Sequence, residues 1–188
     1  MTRLGFPVFA LLFGMLAAGT DARAAGPEDM VYLDLKDGRV VIEMRPDLAP
    51  RHVARIKELV GQGFYDGLPF HRVIDGFMAQ TGDPRGDGTG GSGVKIPAEF
   101  SDEPYERGTL GMARSSDPDS ADSQFFIMFK RNPSLDGEYT VWGKVVEGMD
   151  YVDKIKKAPP GARSGTVDKP DRIVRMRMAA DVKDDVKD

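Results

Sequence analysis

The stretch VYLDLKDGRVVIEM, residues 31–44, sets the strongest constraint on the fold. Apolar and polar side chains alternate from Val31 to Lys36 and again from Arg39 to Met44, with Asp37-Gly38 between the two runs. Side chains of a β-strand point alternately to its two faces, so this pattern buries one face of each run. An Asp-Gly pair supplies the positive φ of a tight hairpin turn, so the runs pair antiparallel. A hairpin alone is marginal in water. The rest of the chain must supply strands or helices to cover its apolar face.

RPDLAP interrupts the alternation with Pro46 and Pro50. In HVARIKELVGQG, Val53, Ile56, Leu59 and Val60 recur at helical spacing and Gly61 and Gly63 end the run, which predicts an amphipathic helix. Two short strands, FHRVI and FMAQT, are expected on either side of Asp75-Gly76, and GDPRGDGTGGSG forms a glycine-rich loop over residues 82–93. Further strands are expected over Gly108–Ala113, Ser123–Met128 and Tyr139–Val146. Met149, Val152 and Ile155 mark a second short helix. In RIVRMRM, Val174, Met176 and Met178 alternate with Arg175 and Arg177, which predicts a closing strand with one wet face. About eight short strands and two helices, with no internal repeat, point to a barrel or sandwich with helical caps. Strands that are not interleaved with helices disfavour a doubly wound parallel sheet.

The N-terminus reads as a secretory signal peptide: Arg3, an apolar stretch from Leu4 to Gly19, then small residues at Ala22 and Ala24. The stretch falls short of the roughly 20 residues a membrane span needs. Residues 1–24 are therefore set apart, with cleavage expected near Ala24-Ala25 and no stable membrane insertion afterwards. Residues 25–180 form one domain, and residues 181–188 a charged, disordered tail. The expected location is the periplasm, with release further out as the alternative. The absence of cysteine excludes disulfides, thiolate nucleophiles and cysteine-based zinc sites. A net charge of −4 without a basic run argues against a nucleic-acid partner.

Gly86, Gly88 and Gly91 satisfy a dinucleotide-binding glycine pattern, but no long strand precedes it and no helix follows, because Pro97 intervenes. The glycines fit better a tight loop whose backbone passes close to other groups. His52 and His71 are the only histidines, too few for a zinc site, and no metal or cofactor is expected. His71 reads as a buried, hydrogen-bonded histidine beneath the strand of Arg72. The serines of SSDPDSADS lack the base a nucleophile needs. Phe125 and Phe126 are adjacent on a strand and must face opposite ways, one into the core and one outward. PFHRVIDGFMAQTGDP sets long polar side chains, Arg72 and Gln80, beside Phe77 and Met78, as a surface would that grips something both apolar and hydrogen-bonding.

PFHRVIDGFMAQTGDP, GTGG (88–91), GTLGMA (108–113), SQFFI (123–127) and LDGEYTVWGKVVEGMD (135–150) occur in the order of a cyclophilin-type peptidyl-prolyl cis-trans isomerase. The resemblance runs from about Val31 to Met178, and the signal and short loops resemble the bacterial exported branch. It implies a mainly β fold, a closed eight-stranded antiparallel barrel capped by two α-helices, with the groove on its outer face. It implies Arg72 as the catalytic arginine and Phe77, Met78, Phe126 and Leu135 as the proline pocket. Gln80 and Ala113 would hold the peptide, and Gly88 and Gln124 would lie along the groove. Three positions depart from the best-known eukaryotic pattern: Ser134 stands for the groove tryptophan, Tyr139 for the groove histidine and Arg114 for the groove asparagine. Losing the indole implies weaker cyclosporin binding. The implied activity is X-Pro isomerisation in folding exported proteins, by a monomer acting on proline-containing polypeptide clients. The altered groove keeps a second reading open, a non-catalytic module that holds proline-containing peptides as a chaperone or scaffold.

Overall fold

The computed structural model describes residues 26–182. The signal segment and residues 183–188 of the tail lie outside them, and with them the disorder expected of the tail. Eight strands and two α-helices follow in the order β1 (Met30–Leu35), β2 (Gly38–Met44), α1 (Pro50–Gly61), β3 (Arg72–Ile74), β4 (Met78–Thr81), β5 (Thr109–Met112), β6 (Phe125–Met128), β7 (Val141–Glu147), α2 (Met149–Asp153) and β8 (Arg175–Met178). The eight strands form one sheet in the order β3-β4-β6-β5-β7-β2-β1-β8, and every pairing is antiparallel.

The sheet is an open half-barrel, not the closed barrel expected, because β3 and β8 remain edges. The reason lies in the chain beside those edges. Irregular segments, residues 67–71 and 165–173, lie in the gap and satisfy each other's backbone without a ladder. The Gly67 and Phe70 amides donate to Ile173 and Asp171, and the Ile173 and Val167 amides donate to Leu68 and His71. Isolated bridges at Pro69–Arg172 and Arg72–Thr166 complete the seam. Pro69 and Pro170 have no N–H to give a regular ladder here.

The hairpin of β1 and β2 forms as expected, with Leu35 opposite Gly38. Val31, Leu33, Val40 and Ile42 are buried together with Val53, Ile56, Leu59 and Val60 of α1 in one apolar core. Helix α1 starts at Pro50, two residues before the expected span, since proline fits a first turn whose N–H is unbonded anyway. Strand β8 departs from the expected alternation: Met176 and Met178 are buried, but Val174 is exposed at a bend before the strand and Ile173 takes the inward place. Trp142 is fully buried and meets the edge of Phe125 at 5.3 Å.

Candidate active site

Strand register assembles the site. Arg72 pairs with Gln80, Gln80 with Phe126, and Phe126 with Gly111, so one cross-strand row runs over β3, β4, β6 and β5. The neighbouring row carries Ile74, Met78 and Met128. Phe125 and Phe126 face opposite ways, as strand geometry requires. Phe125 enters the main core against Tyr65, while Phe126 joins a second apolar cluster with Met78, Tyr105 and Leu135. Phe126 stacks on Tyr105 at 5.7 Å and meets Tyr139 edge-on at 5.8 Å. Gly111 makes room for this, since a Cβ there would collide with the Tyr105 hydroxyl and the Phe126 ring.

A cavity of about 170 Å³ opens above this floor, lined by Arg72, Phe77, Met78, Gln80, Ala113, Arg114, Phe126, Leu135 and Tyr139. It unites nine residues expected at the groove from sequence. Gly88 and Gln124 lie instead along a second, larger hollow of about 530 Å³, which shares Gln80, Ala113 and Arg114 with the first. Ser134 lines neither; it is exposed in a short 3-10 turn, Pro133–Leu135, that turns Leu135 inward.

The Arg72 guanidinium is held on two sides. Its Nε donates to the Ser164 carbonyl at 3.0 Å and its Nη1 to Gln80 Oε1 at 3.1 Å. Nη2 has no partner among the described residues. Burial lowers the Arg72 pKa from its ordinary value, with Tyr139 acting in the opposite direction, and arginine remains a cation at neutral pH. The hydrogen bonds continue in one direction. Gln80 Nε2 donates to Gln124 Oε1 at 2.9 Å, and Gln124 Nε2 donates to the carbonyls of Gly90 and Gly88 at 2.8 and 3.1 Å. On the far side, the Arg114 guanidinium lies 4.5 Å from the Tyr139 ring centre and donates to the Glu138 and Ser115 carbonyls.

Two carboxylates shape the glycine-rich loop. Asp83 is fully buried and accepts from the amides of Arg85, Asp87 and Gly88. Its burial pushes the pKa up, but the amides of Arg85, Gly88 and Gly90 and nearby His71 outweigh it and hold the carboxyl below its ordinary value. Asp122 grips Ser92 and Gly93 from the other side. Side chains at Gly90 and Gly91 would collide with Asp83 and Asp122, which is the close backbone approach the glycines indicate. His71 is buried as expected, but neither ring nitrogen has a hydrogen-bond partner among the described residues, so the expected bond is not seen there. Sequence reading missed Ser164, Asp83, Asp122 and Tyr105. The buried Asp83 had a signal, an acidic residue heading a glycine run; Ser164 had none, because it acts through its carbonyl. Among the described residues no three His, Asp or Glu side chains converge to hold a metal, and no helix is long and apolar enough to cross a membrane.

Comparison with known proteins gives a consistent result. Residues 30–178 match the family of cyclophilin type peptidyl-prolyl cis-trans isomerases/CLD. A probable peptidyl-prolyl cis-trans isomerase of Brucella suis is 57% identical over 180 residues, covering 89% of this chain and 91% of the relative. Peptidyl-prolyl cis-trans isomerase B of Bacillus subtilis is 46% identical over 123 residues, 64% of this chain and 85% of the relative. Among solved structures, a cyclophilin from Hirschia baltica superimposes with TM-score 0.76 at 27% identity, over 86% of this chain and 78% of its own. A Cryptosporidium parvum cyclophilin crystallised with the dipeptide Ala-Pro gives 0.71 at 28% identity, over 79% and 98%.

Proposed function

The chain belongs to the cyclophilin-type peptidyl-prolyl cis-trans isomerases, and from that premise we propose that Arg72 and the 170 Å³ cavity beside it accelerate rotation about X-Pro bonds in extended clients. One observation carries this reading: a guanidinium fixed through Nε and Nη1 stands at the wall of an apolar-floored cavity with Nη2 unbonded to any described residue. Phe77, Met78, Phe126 and Leu135 seat the proline ring, and Gln80 and the backbone at Ala113 hold the flanking peptide.

Rotation about X-Pro is slow because amide resonance gives the C–N bond partial double-bond character, with a barrier of about 18–20 kcal/mol. In the twisted transition state that resonance is lost. The proline nitrogen regains a lone pair, and the carbonyl becomes less polar. Arg72 donates a hydrogen bond to that nitrogen, which the planar ground state cannot accept, so the interaction strengthens only as the bond twists. The apolar floor favours the less charge-separated form. A charge-assisted hydrogen bond is worth about 1.5–3 kcal/mol, roughly 10- to 150-fold in rate. Arg72 therefore supplies part of the acceleration, and the cavity and the held peptide supply the rest. No covalent intermediate and no acid–base pair enters.

Replacing Arg72 by Ala tests this. In this variant kcat/KM should fall by about 10²-fold or more, with circular dichroism unchanged. Near-normal turnover by a folded variant contradicts it. The sequence of residues 1–24 further supports export, with the mature chain starting near Ala25 in the periplasm and acting as a monomer on folding exported proteins. Intact mass of the protein from a periplasmic fraction reads this directly, and an uncleaved mass refutes it.

A further inference from the structure

We propose that the 530 Å³ groove selects acidic side chains in the peptide on one side of the proline, through Arg85 and Lys95 with Arg114 behind them. The inference rests on the isomerase reading above and adds a charge class to its substrates. The groove adjoins the 170 Å³ cavity and shares Gln80, Ala113 and Arg114 with it. A peptide whose proline fills the smaller cavity therefore lays its neighbouring residues in the larger one.

The charge available there is positive although the chain as a whole carries −4. Lys95 is exposed and has no hydrogen bond or ion pair among the described residues. Arg85 is exposed, and among the described residues its guanidinium donates only to the Thr89 hydroxyl, at 3.5 Å. Arg114 lines both hollows; its guanidinium is fixed against Tyr139, with the Glu138 carboxylate at 3.8 Å. The one carboxylate in the lining, Asp122, is already committed to Ser92 N at 2.8 Å, the Ser92 hydroxyl and Gly93 N at 2.9 Å. Nearby Asp87 is likewise turned onto Thr89, accepting from its amide and hydroxyl at 2.8 and 2.7 Å. Two exposed cations, neither in a salt bridge among the described residues, thus border a groove whose own acids are hydrogen-bonded elsewhere. A carboxylate on the bound peptide completes that arrangement, whereas a lysine there meets like charge.

The test follows cis/trans exchange by NMR in peptides with one X-Pro bond, carrying Glu, Gln or Lys at each of the three residues before and the three after the proline. The expected result is a Glu-over-Gln advantage of roughly threefold to tenfold in kcat/KM at one or more positions on one side, within what two exposed ion pairs supply. Lys falls below Gln at the same position. The advantage disappears in the double variant Arg85→Glu/Lys95→Glu and shrinks at about 0.5 M salt, where strong screening confines charge interactions to a few ångströms. A ratio near one at every position overturns the inference, and so does a ratio that survives charge reversal. If no peptide is turned over, the isomerase reading is what fails. The same ratios, read as Kd from shift titrations of the same peptides, then uphold or overturn the charge selection.

Discussion

At the scale of single residues, the proposed chemistry turns on how firmly one guanidinium is aimed. The chain from Arg72 through Gln80 and Gln124 to Gly88 and Gly90 donates in one direction, so each amide fixes the next. Gln124→Ala removes the anchor while leaving the floor intact. A neutral hydrogen bond contributes about 0.5–1.5 kcal/mol net, so kcat/KM should fall roughly twofold to twelvefold, with little change in thermal stability. An unchanged rate would show that Arg72 is aimed without the relay. Arg72→Lys should rescue little of the loss seen with Ala, because lysine lacks the planar fork that bonds Ser164 and Gln80 together; recovery to near wild-type turnover would mean that charge alone suffices. Arg72 and Gln80 were legible in the sequence because a short hairpin sets them opposite each other. Ser164 was not, since a carbonyl 92 residues away bonds Arg72 whatever its side chain.

At the scale of elements, α1 shows what local patterns leave out. Its apolar stripe was readable, but Ala49 offers no capping side chain. Instead Glu99, from a distant loop, accepts from the Arg51 and His52 amides and from His52 Nδ1 at 2.7 Å. Nothing in the sequence near α1 announces a cap that arrives 48 residues later. Glu99→Ala should cost about 1.5–3 kcal/mol, the range for hydrogen bonds to a charged group, read as a lower urea midpoint at constant m. A smaller shift than a surface substitution gives would refute the cap. The closed barrel that the resemblance implies is left open for a related reason: alternation predicts strands and nothing more, and only tertiary packing decides whether the two edges meet or irregular chain fills the seam. In β5, Gly111→Ala should push Phe126 off Tyr105 and lower kcat/KM together with stability; wild-type values for both would show that the floor has slack.

At the scale of the whole molecule, buried titratable groups set a pH dependence of stability. Burial is the main cause that lowers the pKa of both His52 and His71 from 6.5, partly opposed by Glu99 for His52 and by Asp83 for His71. The unfolded chain therefore binds more protons than the folded one below about pH 6.5, so stability is full above that value and falls as pH drops through the window. Glu99 and Asp83 also have net lowered pKa values, despite burial acting to raise them. Their contribution is present above the ordinary carboxylate range and is lost at lower pH. Thermal unfolding from pH 8 down to about pH 2 should show Tm declining in two stages, and His71→Gln should flatten the upper one. A Tm constant down to about pH 5 would contradict the histidine stage. The central proposal, that Arg72 speeds X-Pro rotation, draws on the fold, the two hollows and the fixed arginine. The most direct measurement is NMR exchange spectroscopy on a short peptide with a single X-Pro bond, with the chain from Ala25 onward and its Arg72→Ala variant. Fast exchange between cis and trans cross-peaks that collapses in the folded variant is the expected result. Shift changes that report binding while exchange stays at the uncatalysed rate would contradict it.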